Sequence, residues 1–302
     1  MNRRHFLSNT VLSMGGLASL GLDVLPDFQQ PTTPGYQLLV MATNWGFPGE
    51  YDAFCKAAKE AGYDGIEAWL PGIGPRREAF FAALEKYDLQ FGLLAGVSEN
   101  DFSQHFDRFQ RALDTAIAQK PLYINCHSGR DFFSFSENVQ IIRHANQRSQ
   151  ESGIPIYHET HRGRILFAAH ICRQFLEEIE ALRLTLDISH WTNVHESLLD
   201  NQQESVQVAL NRTDHIHARI GHQEGPQVTD PRAPEWEQAV KAHFAWWDEI
   251  AARKRRLGQP LTILTEFGPP SYLPTVPYTQ QPLADQWDIN VYMMRSLRER
   301  YG

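Results

Sequence analysis

The chain has 302 residues and a formal net charge of −8. That balance offers no basic footprint for a phosphate backbone, which argues against nucleic acid as the main partner. Three scattered cysteines (Cys55, Cys126 and Cys172) make neither a disulfide framework nor a structural zinc site, and they read as small buried hydrophobes.

The first residues, MNRRHFLSNTVLSMGGLASLGL, place Arg3 and Arg4 before a short, weakly apolar run. A charged start followed by a short apolar stretch predicts a signal peptide over residues 1–22, and the paired arginines point to the twin-arginine route. The protein is therefore expected to be exported, to the periplasm or beyond. The run is too short and too rich in Gly and Ser to span a membrane, and no later stretch reads as a span. Residues 23–35, DVLPDFQQPTTPG, read as a Pro/Thr linker.

From residue 36 to 302 the chain alternates short apolar runs with amphipathic charged stretches, the pattern of βαβ units on a parallel sheet. Strands are predicted at Gln37–Thr43, Gly65–Leu70, Gln90–Ala95, Leu122–His127, Pro155–Glu159, Arg183–Ile188, His215–Ile220 and Thr262–Glu266. Helices are predicted at Tyr51–Ala61, Arg76–Tyr87, Phe102–Ala118, Ser136–Ser152, Ile165–Glu180, Glu235–Arg256 and about Leu283–Glu299, with the weakest helical signal at His195–Leu210. Eight of each, with nothing left over for another domain, predict a single (β/α)8 TIM barrel of about 250 residues. An open doubly wound sheet would want a Gly-rich phosphate turn after its first strand. Here that strand is followed by NWGFPGE, which lacks the spacing.

In such a barrel the C-terminal strand ends converge on one mouth. Four consecutive strands end in metal-ligand chemistry. The fifth reads IPIYHETH and offers Glu159, and the sixth reads LTLDISHW and offers Asp187. The seventh reads DHIHARIGH and offers His217, and the eighth reads LTILTEFG and offers Glu266. Each taken alone has a plainer reading, such as a helix cap or an ion pair. Three carboxylates buried beside one imidazole are intelligible together if a divalent cation sits among them. The oxygen-rich set suits Mn²⁺ first, with Mg²⁺ or Co²⁺ as alternatives.

Other residues gather at the same level. Glu67 lies in the second strand and His127 closes the fourth, either as site residues or as hydrogen-bond partners behind the ligands. His161, Arg162 and Arg164 follow Glu159, while Arg219 and His222 follow His217. They suit a carboxylate, a phosphate or sugar hydroxyls, although the arginines would equally serve as ion-pair partners for barrel carboxylates. Trp45, Phe47, Trp69, Phe132, Phe133 and Trp191 follow or end strands, where rings can stack on sugar faces or simply pack the rim.

The pattern resembles the xylose-isomerase-like barrel superfamily of sugar phosphate isomerases and epimerases, over nearly all of the chain after the linker. The resemblance implies that Glu159, Asp187, His217 and Glu266 hold the metal. It matches the family's Asp-x-x-His signature to Asp187 and His190, where the His touches a substrate oxygen, and its His-x-His to His215 and His217. The chain departs from the ketose 3-epimerases at Gln223 and Ile165, where those enzymes carry Arg and Glu. The implied activity is a metal-dependent isomerase or epimerase acting on a small carbohydrate. Glu159 and Glu266 would be base and acid through an enediolate, with His190, Arg219, His127, His161, Arg162 and Trp45 at the substrate. The same enediolate can expel a β-leaving group, so a lyase or dehydratase on keto-sugars or keto-glycosides is the alternative. A non-catalytic sugar-binding protein is the alternative of another class. Homo-oligomerisation stays open.

Overall fold

The computed structural model describes residues 35–302. The expected signal peptide, and the linker up to residue 34, lie outside the described residues. In chain order the elements are β1 (Leu38–Thr43), α1 (Tyr51–Ala61), β2 (Gly65–Trp69), α2 (Pro75–Lys86), β3 (Gln90–Gly96), α3 (Phe102–Ile117), β4 (Ile124–His127), α4 (Phe135–Ser152) and β5 (Ile156–Glu159). There follow α5 (Ala169–Glu178), β6 (Leu184–Leu186), α6 (Ser189–Val194), α7 (Gln203–Arg212), β7 (Thr213–Ala218), α8 (Glu237–Leu257), β8 (Leu261–Thr265) and α9 (Gln286–Tyr301). The strands pair in parallel in sequence order, and β1 pairs with β8 to close the barrel. The predicted (β/α)8 class is the observed one.

Local chemistry explains the boundaries. Ser134 and Glu137 form a reciprocal capping box at the start of α4, and Asp101 caps α3 by accepting from the Gln104 amide. Gly62 ends α1 in the left-handed region at φ 103°. The weak helical stretch after the sixth strand divides into α6 and α7. Glu196 and Leu199 sit between them at φ 47° and 65°, which a continuous helix does not accommodate. The three cysteines are free and buried, as expected.

The barrel wall is uneven. β1 and β8 share five register pairs, whereas β5 and β6 share two, His158 with Leu184 and Glu159 with Thr185. The β6–β7 register then shifts at Leu184/Thr185. The lumen is packed with side chains. At Gly92 on β3 a Cβ would lie 2.5 Å from the ring of Tyr123, so the glycine makes room for that buried phenol. Below the strands, Asp214 at the start of β7 pairs with Arg183 at 2.7 Å and Lys254 of α8 at 2.5 Å, which ties the thin side of the wall together at its N-terminal face.

Candidate active site

Glu159 is the last residue of β5, and His217 lies near the end of β7. Asp187 and Glu266 stand one residue past β6 and β8, because both strands end short of the Ile188 and Glu266 expected from sequence. The fold brings all four together: one ligand atom from each lies within 4.8 Å of the others, and all four residues are buried. His217 Nδ1 is 2.9 Å from Glu266 Oε2 and 3.7 Å from Glu159 Oε2. His217 Nδ1, Glu159 Oε1 and Glu266 Oε2 have no hydrogen-bond partner although they are buried. Unpartnered buried polar atoms are costly, and their convergence from three strands fits a cation. The three carboxylates and one imidazole suit an octahedral ion of the Mn²⁺ or Mg²⁺ kind.

A second layer sits beneath, across the lumen. Glu67 of β2 reaches His217 Nε2 at 3.0 Å and His215 Nε2 at 3.1 Å. The Thr262 hydroxyl lies 2.7 Å from His215 Nδ1 and can donate to it, so that His215 Nε2–H donates to Glu67. With His217 Nε2–H also given to Glu67, its Nδ1 faces the ligand cluster. This is the carboxylate–histidine arrangement that fixes the tautomer of a metal ligand. Asn125 of β4 donates to Glu159 Oε2 at 2.7 Å and reaches Glu67 Oε1 at 3.4 Å. Sequence reasoning overlooked Asn125; its only signal is an amide inside the apolar strand INCH. Replacing Glu67 by Gln is expected to weaken cation binding about ten- to a hundredfold, measured by titration of the metal-free protein, because the amide no longer orients both imidazoles.

The electrostatics follow from this crowding. Burial opposes protonation of His217, but the carboxylates of Glu266, Glu67 and Glu159 overcome it and hold the imidazole well above its usual range. Burial pushes Glu67 up, yet His217 and His215 bring it far below the usual carboxylate range. Glu159 is likewise desolvated but held well down by His127 and His217. Asp187 behaves differently. Burial raises it to about 7, with Arg219 opposing and Glu266 and Glu159 adding to the rise.

Asp187 is the most constrained of the four. The Ser189 backbone amide and hydroxyl donate to its Oδ1, and Arg219 pairs with its Oδ2. Arg219 is almost fully buried, lies 3.7 Å from Glu266, and stacks at 4.8 Å from the Tyr272 ring centroid. It also donates to His190 Nε2 at 2.8 Å. His190 is fully buried, with its ring centroid 4.0 Å from that of His161, so it meets the open space through His161 and Arg219. Burial pushes His161 down to about 4, and it is neutral at ordinary pH.

A cavity of about 560 Å³ opens above the four residues and is lined by His127, His161, Arg219 and Glu266, with Trp45 and Tyr272 higher up. Of the expected substrate residues, Arg162 turns to Asn193 and to the outer side of Tyr272, 5.1 Å from its centroid. Arg164 donates to the Val97 carbonyl. His127 stands 2.6 Å from Glu159 and covers it. Among the rings, Trp191 is fully buried and donates to the Leu166 carbonyl, so it packs the core and does not stack on a ligand. Phe47 packs on Phe54 and Trp287. Tyr272, from the Pro-rich stretch after β8, was not foreseen because that stretch has no periodic pattern.

A family described as xylose isomerase-like TIM barrel matches residues 55–223. Similar solved structures include 3-keto-D-glucoside 4-epimerase from E. coli, at 14% identity over 87% of this chain and 100% of that one, with a TM-score of 0.57. A probable 3-DHS dehydratase from Bacillus anthracis is 16% identical over 87% and 100%, with a TM-score of 0.55. A xylose isomerase-like TIM barrel protein from Mycobacterium smegmatis in complex with magnesium is 11% identical over 87% and 98%, with a TM-score of 0.55. At such identities the likeness to these structures shows the fold alone. No curated protein sequence matches significantly.

Proposed function

The chain belongs to the xylose isomerase-like TIM barrel family, and from that premise we propose that it is a divalent-metal-dependent isomerase or epimerase of a sugar or sugar derivative. The observation that carries this reading is the convergence of Glu159, Asp187, His217 and Glu266 within 4.8 Å beneath one open cavity. These four residues would hold the ion, Mn²⁺ in the first place and Mg²⁺ or Co²⁺ by the same donors. Bound there, the ion supplies positive charge beside a substrate carbonyl and its neighbouring hydroxyl, which favours loss of the proton between them.

The residues of the chain then move that proton. Glu266 reaches the floor of the cavity, and Glu159 stands across the cluster behind His127. One carboxylate removes the proton from the α-carbon, leaving an enediolate. The other returns a proton to the opposite face, which epimerises, or to the adjacent carbon, which isomerises. Arg219 and His161 line the floor and hold substrate oxygens, and His190 positions both from behind. The glutamate pair favours catalysis over mere sugar binding, which has no use for a base on each side of the ligand.

Export through the twin-arginine signal would place the enzyme among glycosides and oligosaccharide fragments. Two arginines line the cavity, Arg76 and Arg219. The second is already paired with Asp187, and the first lies 5.7 Å from the ring centroid of Tyr51. The test is a screen of metal-loaded protein against free sugars, keto-sugars and glycosides in D₂O. Deuterium uptake at a carbon next to a carbonyl, with a rearranged sugar as product, is the expected result. Release of an aglycone or an unsaturated sugar would assign elimination instead. No uptake across the screen would remove the proposal.

A further inference from the structure

The cavity has two halves of different chemistry. Its floor is polar and buried: Arg219 is 1% exposed and Glu266 9%. Its outer half carries two half-exposed indoles, Trp45 at 39% and Trp69 at 49%, with Tyr272, Leu70 and Pro71 beside them. A volume of about 560 Å³ exceeds what one sugar ring needs and falls within the range of about 300–1,000 Å³ that accommodates larger ligands.

The two indoles are seated, not loose. Trp45 packs against Gly268, where a Cβ would come 2.4 Å from its ring, and meets Tyr272 edge-on at 5.0 Å. Its backbone carbonyl accepts from the Gln286 amide at 2.7 Å. Trp69 lies over Gly96, where a Cβ would be 3.2 Å from its ring, and meets His127 edge-on at 5.5 Å. Residues from other strands thus fix two large apolar rings that water still reaches. Leaving them uncovered forgoes the burial that such rings usually gain, and a flat ring with an apolar face recovers it.

We propose that the outer half of the cavity is a subsite for a second ring, so that the substrate is a keto-glycoside bearing an aryl aglycone or a further sugar and not a free monosaccharide. This rests on the function proposed above. The reacting sugar sits on the polar floor, and its ring substituent lies between Trp45 and Trp69.

The test measures calorimetric affinities of the Mn²⁺-loaded protein for three keto-glycosides, in which one ring hydroxyl of methyl β-D-glucopyranoside, of phenyl β-D-glucopyranoside and of the non-reducing ring of cellobiose is oxidised to a carbonyl, with deuterium uptake read on the same samples. At least one ring-bearing probe is expected to bind about tenfold tighter than the methyl glycoside. Preference for the phenyl glycoside assigns an aryl group, and preference for the cellobiose derivative a second sugar. In Trp45→Leu and Trp69→Leu the affinity ratio should fall toward one while metal content stays the same. Equal affinities for all three probes, no binding by either ring-bearing probe, or an unchanged ratio in both variants would overturn the subsite. Uptake with equal affinities removes this inference alone. A ring preference without uptake of deuterium from any sugar removes the catalytic reading and leaves the subsite standing.

Discussion

Glu266→Gln is expected to stop exchange of the substrate α-proton with solvent, a loss of about a thousandfold or more, and Glu159→Gln to do the same. Gln keeps the shape and one oxygen donor of Glu, so the pocket persists while the charge and the basic oxygen go. The two variants should nevertheless differ. Glu159 is paired with His127 and accepts from Asn125, and its loss leaves His127 without a carboxylate partner and Asn125 with only its longer contact to Glu67. Glu266 meets His217 and, at longer range, Arg219, and faces the open cavity. Metal content measured beside exchange separates the roles: a variant that keeps its ion and loses exchange has lost a proton carrier. Undiminished exchange in both variants would falsify the proposed chemistry.

Removing the metal should cost stability, and the cost should grow with pH. At an ion concentration about a hundredfold above Kd the bound ion contributes about 2.7 kcal/mol, or roughly 5–10 °C in Tm for a domain of this size. The pH dependence comes from two groups raised in the metal-free fold. Asp187 rises from its ordinary value to about 7, so its protonated form adds stability at low pH that is lost progressively up to about pH 7. His217 is held well above the usual imidazole range, so its charged form adds stability that is lost as pH rises beyond about 6.5. A cation needs both groups deprotonated and displaces those protons. The Tm increment on adding Mn²⁺ should therefore widen between about pH 6 and pH 8. A constant or shrinking increment would mean that the ion binds elsewhere.

Much of the fold was legible because a parallel barrel writes itself as apolar runs, each closed by a polar group, with amphipathic stretches between. The four clustered residues were legible for the same reason: Glu159, Asp187, His217 and Glu266 interrupt or end such runs where a carboxylate or an imidazole needs an explanation. The second layer was only half visible. Glu67 stood out as an acid inside GIEAW, but its grip on His217 spans 150 residues of sequence and depends on which strands face each other across the lumen. Asn125 carried still less signal, since one amide in a strand is commonplace. The rings were hardest to sort. Trp45 and Trp191 both sit beside strand ends, and only the glycine at position 268 and the Leu166 carbonyl decide that one faces the cavity and the other the core.

The short β6 gives the proposed metal centre a mechanical meaning. Two register pairs join it to β5, and its register with β7 slips, so this is where the hoop of strands is least well laced by its own backbone. Glu159, Asp187 and His217 come from the three strands on either side of that gap, and Glu266 anchors the set to the next stave. An ion gripped by all four would be a rivet through the weakest joint of the cask. On the proposed chemistry, catalysis and closure of the wall would draw on the same four side chains, so that tuning one would disturb the other.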